Sequence, residues 1–179
     1  MARPVRLTAQ ALAVALVAGL LALLVWRVAH DDTANVSTAL NKGEQPRAPS
    51  FDLERLDGRG RIDLSSYRGK RPVVLDFWAS WCTPCINESK RLQAALGRYG
   101  GKIAFVGVDT KDFSEDARRW QRKHGITYPS VHDGGGDVLA KWGGLPIPRI
   151  FFVARDGKVI GEMVTEEDLP RFLRQLAKS

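Results

Sequence analysis

The sequence predicts an α/β fold: a central mixed β-sheet flanked by helices, preceded by an N-terminal β-hairpin and one N-terminal transmembrane helix. Three observations carry that expectation. Two unalternated apolar runs, Val73–Trp78 and Ile103–Asp109, each lead into a segment of helical periodicity, the order of parallel strands joined by crossovers. Two late strands, Arg149–Val153 and Lys158–Met163, flank an Arg155-Asp156-Gly157 turn and add an antiparallel hairpin at one edge. The only two cysteines, Cys82 and Cys85, follow the first apolar run directly. They therefore lie at the carboxyl end of a central strand, where open α/β sheets place their sites.

In chain order, residues 1–6 form a short basic start and residues 7–28 are almost wholly Ala, Leu and Val. The uncharged core, Leu7 to Trp26, is 20 residues long. At helical rise that is about 30 Å, the thickness of a bilayer's hydrocarbon layer. Arg3 and Arg6 precede it and Trp26 sits where an interfacial aromatic belongs, so the rest of the chain is expected outside the cytoplasm. The alternative, a cleaved signal peptide, finds only poor matches to a small-residue cleavage site in Arg27-Val28-Ala29 or Asp32-Thr33-Ala34. An uncleaved signal anchor is the reading adopted. Residues 29–48 are polar and without an apolar period, which predicts a flexible linker. Residues 49–179 form the folded domain.

Within that domain, Phe51-Asp52-Leu53 and Ile62-Asp63-Leu64 alternate around an Asp57-Gly58 turn signal, predicting the hairpin. Pro72 introduces the strand Val73–Trp78. Ile86, Leu92, Ala95, Leu96 and Tyr99 recur at helical spacing as far as Gly100-Gly101. After the second strand, Ser114 is expected to cap a helix carrying Ala117, Trp120 and His124 and ended by Gly125. A short extended piece at Thr127–Val131 and a brief helix around Val138–Trp142 follow. Leu169, Phe172, Leu173 and Leu176 mark a last amphipathic helix.

Composition excludes several classes. The net charge of +7 includes Arg3, Arg6 and Arg27, which flank the apolar segment, and the +4 that remains is interspersed with acids. A nucleic-acid protein more often shows a basic stripe, and Arg118–Lys123 reads as a solvated helix face. No nucleic-acid partner is expected. Two cysteines in one motif rule out a disulfide-stapled scaffold and a four-cysteine zinc site, and no cofactor or resident metal is implied.

Chemistry centres on Cys82-Thr83-Pro84-Cys85. Two thiols at this spacing, the first at a helix N-terminus, suit a dithiol that opens and closes a disulfide. Unpaired N–H groups and the positive end of the helix dipole stabilise a thiolate there. Cys82 is the expected attacking thiolate. Cys85, one turn in and more buried, would resolve the mixed disulfide. Asp76 lies inside an apolar strand, where burial should raise its pKa and let it relay a proton to or from Cys85. The competing reading is an acid that reaches solvent or a basic side chain.

The run Asp76-Phe77-Trp78-Ala79 followed by Trp81-Cys82-Thr83-Pro84-Cys85 resembles the thioredoxin active-site strand and motif. The preceding hairpin, the insert between Asp109 and Leu139 and the Leu145-Pro146-Ile147-Pro148 loop resemble the membrane-tethered TlpA/ResA family, close to the CcmG (DsbE) type. The resemblance implies a thioredoxin-like fold and a membrane-anchored thiol–disulfide oxidoreductase. It implies a cis Pro148 facing the dithiol, with Ile147 and Trp81 in the substrate-contact surface, and Glu88 as an acid that modulates the cysteines. It also implies oxidised protein substrates, apocytochrome c among them, and a transmembrane thiol donor of the CcdA/DsbD type. Two departures stand out: Arg149 where Thr is common, and Lys90 where many relatives carry a helix-kinking Pro. Arg149 could favour acidic partners, depress the Cys82 pKa or point to solvent.

Two other functions compete for the same cysteine pair. A copper metallochaperone would use Cys82, Cys85 and a third ligand such as His132, but the cysteine pairs of Sco-type proteins are spaced by three residues. A peroxidase of the peroxiredoxin type needs a Pro-x-x-x-Thr-x-x-Cys arrangement that is missing around Cys82.

Overall fold

In a computed structural model of the protein, residues 3–30 and 35–178 are described. They fall into two units, residues 1–33 and 34–179. The first is a single helix, α1 (Arg3–His30), whose described side chains, residues 13–26, are exposed. Among the described residues no helix is long and apolar enough to cross a membrane. The expected span, residues 7–28, extends at both ends onto side chains outside the described ones.

The second unit runs α2 (Val36–Asn41), β1 (Asp52–Glu54), β2 (Arg61–Asp63), a 3-10 turn at Leu64–Tyr67, β3 (Val73–Trp78), α3 (Cys85–Tyr99) and β4 (Ala104–Thr110). It continues with α4 (Ser114–His124), β5 (Ser130–Asp133), α5 (Asp137–Trp142), β6 (Arg149–Val153), β7 (Val159–Glu162) and α6 (Asp168–Leu176). The central sheet has the order β5-β4-β3-β6-β7, with β5, β4 and β3 parallel and β6 and β7 antiparallel. This is the mixed sheet of the thioredoxin-like fold.

All six residues of β3 are buried, because β3 is the middle strand and both its faces are covered. Alternate residues face opposite layers. On one face Asp76 meets Ser89 of α3, Trp78 stacks on Trp120 of α4 at 4.4 Å, and Phe152 of β6 stacks on Phe172 of α6 at 4.5 Å. On the other face Phe77 packs against Trp142 of α5 at 5.8 Å. A close approach makes Gly107 of β4 necessary: a Cβ there would lie 2.1 Å from Ser130 Oγ and 2.7 Å from Trp78 Nε1. The absent side chain lets the Trp78 indole lie across the neighbouring strand.

The expected N-terminal hairpin is present as β1–β2, a two-stranded sheet of its own, while two other expectations are corrected. It lies along the outer edge of β5, where the Leu56 N–H donates to Ser130 O at 2.8 Å and Arg55 bridges Val131, so the edge is covered.

The predicted flexible linker, residues 29–48, is ordered over 35–48. Asn35 caps α2 by accepting the Thr38 N–H at 2.9 Å, and Val36 is buried. The Ala48 and Val159 N–H groups donate to Gly157 O and Pro46 O. Polar composition hid this because one short turn needs only Val36 and Leu40, four apart, to make an apolar face.

Finally, Ser114 is the first residue of α4 rather than its cap. Phe113 holds the cap position without a side-chain bond, and Asp112 accepts its N–H at 2.8 Å.

Candidate active site

The chain leaves β3 at Trp78 and turns through Ala79–Pro84 into α3. The Cys82 N–H donates to Ala79 O at 3.1 Å, and the Ile86 and Asn87 N–H groups reach Thr83 O and Pro84 O. These three-residue bonds tighten the entry to the helix, with Pro84, which lacks a donor, in the cap position. The helix begins at Cys85 itself, so Cys85 is at its first residue rather than one turn inside. Cys82 and Cys85 form a disulfide with Cα atoms 5.4 Å apart. Cys82 is 4% exposed and Cys85 fully buried, the order expected of an attacking and a resolving thiol.

Asp76 sits in the middle of β3 and is 1% exposed, which excludes an acid that reaches solvent. Its Oδ2 accepts from the Tyr128 hydroxyl at 2.6 Å and from Ser89 Oγ at 3.0 Å. Oδ1 is buried and has no hydrogen-bond partner among the described residues. Burial pushes the carboxyl up to about 6, against the two hydroxyl bonds that favour its charge, and Glu88 adds a smaller repulsion. The same burial, with the Asp76 charge, drives the Tyr128 phenol well above its usual range. Ser89 lies one helical turn beyond Cys85, so the group that holds Asp76 shares a helix face with the resolving sulfur. Tyr128 and Ser89 were missed in the sequence. Ser89 had a signal in its four-residue spacing from Cys85, whereas Tyr128, 52 residues from Asp76, had none.

Glu88 is half-buried on α3, three residues after Cys85. Its Oε1 pairs with Arg91 at 3.4 Å, and Oε2 is buried without a partner among the described residues. Arg91 also binds Glu166. Glu88 is thus tethered at one oxygen and close enough to Asp76 to raise it.

Arg149, the first residue of β6, pairs with Phe77 in antiparallel register, so Pro148 immediately precedes the strand that runs beside β3. The Ile147–Pro148 bond is cis, as expected, and so is Leu145–Pro146. Ile147 is buried, whereas Trp81 in the disulfide turn and Leu145 in the proline loop are about half exposed. Trp78, Trp120 and Trp142 are core residues.

Arg149 is engaged within the chain rather than pointing free to solvent. Its Nη1 binds Glu162 Oε1 at 2.5 Å and Ser37 Oγ at 2.8 Å, and its Nε donates to Pro146 O at 3.1 Å. It ties α2 to β7 and to the proline loop. His132 is likewise committed: its Nδ1 lies 2.6 Å from Asp109 Oδ2. Among the described residues no group of three or more His, Cys, Asp or Glu side chains is placed to hold a metal ion.

A disulfide-bonded C-x-x-C at the carboxyl end of a central strand, backed by a buried acid in a thioredoxin-like sheet, defines a thiol–disulfide oxidoreductase. Comparison with known proteins specifies this further. Residues 45–161 match the AhpC/TSA family, and the chain belongs to it. Thiol-disulfide oxidoreductase ResA of Bacillus thuringiensis is 29% identical over 133 residues, covering 72% of this chain and 76% of that protein. The thiol:disulfide interchange protein DsbE homolog of Paracoccus denitrificans is 30% identical over 173 residues, covering 94% and 93%. Among solved structures, a putative protein disulfide isomerase from Bacteroides thetaiotaomicron superposes with a TM-score of 0.67 at 28% identity, over 75% of this chain and 90% of that one.

Proposed function

We propose that the protein is a membrane-anchored oxidoreductase acting outside the cytoplasm, where it reduces protein disulfides by exchange at Cys82 and Cys85. The observation that carries this reading is the Cys82–Cys85 disulfide at the carboxyl end of β3, the central strand that holds the buried Asp76. In the reduced protein, the Cys82 thiolate attacks one sulfur of a substrate disulfide. That S–S bond breaks, a Cys82–substrate bond forms, and the substrate's other sulfur leaves as a thiolate. Cys85 then loses its proton, for which Asp76 is the acceptor, and attacks the Cys82 sulfur. Reduced substrate is released and the disulfide seen in the structure is formed. A carboxyl whose pKa lies near 6 takes and returns a proton near neutral pH more readily than an ordinary aspartate. An extended substrate segment would lie along the start of β6 and touch the half-exposed Trp81 and Pro148, whereas Ile147 is buried and serves the packing of the loop.

The substrate class follows from relatives named as a thiol-disulfide oxidoreductase and an interchange protein. An apocytochrome c with its own cysteine pair is the substrate proposed. Returning the site to the dithiol takes two electrons per turnover, for which a transmembrane thiol carrier of the CcdA/DsbD type is proposed as donor. The anchor rests on the uncharged stretch Leu7–Trp26 and on the continuous 28-residue helix α1.

Direction is tested by the equilibrium of the pair with glutathione. A potential near about −270 mV is expected for a reductase, whereas about −120 mV would make the protein an oxidant and overturn the proposal. Cys82→Ser should abolish insulin reduction, and Cys85→Ala should accumulate the mixed disulfide with the natural substrate.

A further inference from the structure

Beside the disulfide turn lies a polar cluster that the exchange steps do not use. Asp112, in the loop after β4, accepts three hydrogen bonds on one carboxylate: Ser80 N–H at 2.5 Å, Ser80 Oγ at 2.9 Å and Phe113 N–H at 2.8 Å. Ser80 is two residues before Cys82. The residue between them is held by the same loop, because Trp81 Nε1 donates to Lys111 O at 2.9 Å. Lys111 has a φ of 51°, alone among the described non-glycine residues in taking the left-handed region, so the loop keeps an unfavourable backbone while making these contacts. Behind Asp112, at the end of β4, Asp109 is fully buried, with Oδ2 on His132 and no donor to Oδ1 among the described residues. Burial, followed by the charges of Asp112 and Asp133, pushes Asp109 up to about 8.

We propose that Asp112 is a positioning residue for the exchange reaction: by holding Ser80 and its turn it sets how rigidly Cys82 is presented to Cys85. The inference rests on the dithiol chemistry proposed above. An intramolecular disulfide is stable against glutathione to the extent that its two thiols are held together, which is an effective concentration. A turn held by charge-assisted bonds loses little freedom when the disulfide closes, and a free turn loses more.

The test is the equilibrium constant of the full-length protein with glutathione, read by quenched alkylation. Asp112→Ala should lower that constant about tenfold, equivalent to an upward shift of about 30 mV in potential. Asp112→Asn, which keeps an acceptor for the Ser80 N–H, should recover to within about threefold of the parent. Ser80→Ala, which removes only the hydroxyl bond, should lower the constant by about threefold. A merely structural Asp112 would lower the urea midpoint and leave the glutathione constant unmoved. Constants within twofold of the parent in folded Asp112→Ala and Ser80→Ala would overturn the inference. If Asp112→Ala does not fold, an unmoved Ser80→Ala overturns it alone. A parent protein that forms no dithiol–disulfide couple with glutathione would overturn the proposed function and this inference with it.

Discussion

A carboxyl at the centre of a buried strand costs free energy in its charged form, and Asp76 occupies that position. Its folded-state pKa is raised from 3.8 to about 6. Between those values the folded protein binds more protons than the unfolded one. The stability associated with protonated Asp76 is thus fully present below about pH 4 and is lost as pH rises through 6. Asp76→Asn should therefore stabilise the fold by up to about 3 kcal/mol at pH 8, with the gain shrinking toward pH 4 in urea titrations. The same variant should slow the resolving step, and the step at pH 6 should vanish from its rate profile. Glu88 acts on Asp76 from α3, so Glu88→Gln should move that step slightly lower. Asp76 was visible in the sequence because a lone acid in Val73–Trp78 breaks an apolar run. The hydroxyls that hold it were not, since Tyr128 arrives from another part of the chain.

Elements place these residues. β3 reads as a central strand from sequence because both faces are apolar, and its neighbours β4 and β6 bear that out. Gly107 shows what strand periodicity cannot: it is dictated by the Trp78 indole and Ser130 of the next strands. Gly107→Ala should destabilise the domain by about 1–3 kcal/mol through overpacking, measured as a shift in the urea midpoint. The element that composition misread is α2. Val36 is 2% exposed, and Ser37 bonds Trp142 O at 2.9 Å and Glu162 at 2.7 Å. Val36→Ala should cost about 1–2 kcal/mol, whereas a true tether would tolerate it without effect.

For the whole molecule, the two units invite separation. A fragment beginning at residue 35 keeps α2 and the entire sheet, so it should fold, retain the Cys82–Cys85 couple and lose membrane association. Retention in the membrane fraction would argue against the anchor. A fragment beginning at residue 49 should be less stable, because it also loses the pairing of Arg47 with Lys158 and the Pro46 and Ala48 backbone bonds to the β6–β7 hairpin.

The sequence by itself determined the order of strands and helices from the hairpin onward, the cysteine pair at a strand end and the candidacy of Asp76. Each rests on local pattern: apolar periodicity, turn residues and motif spacing. Only the tertiary structure decided which side chains surround that motif. Tyr128 on Asp76, Asp112 on Ser80, Arg149 across Ser37 and Glu162, and the close pass at Gly107 join residues 13 to 112 positions apart. Contacts between distant segments leave no periodic trace in one sequence, because each depends on how separate strands and helices are brought together. The disulfide at the turn was legible early. The polar groups that hold its turn and its acid were set by the packing of the sheet.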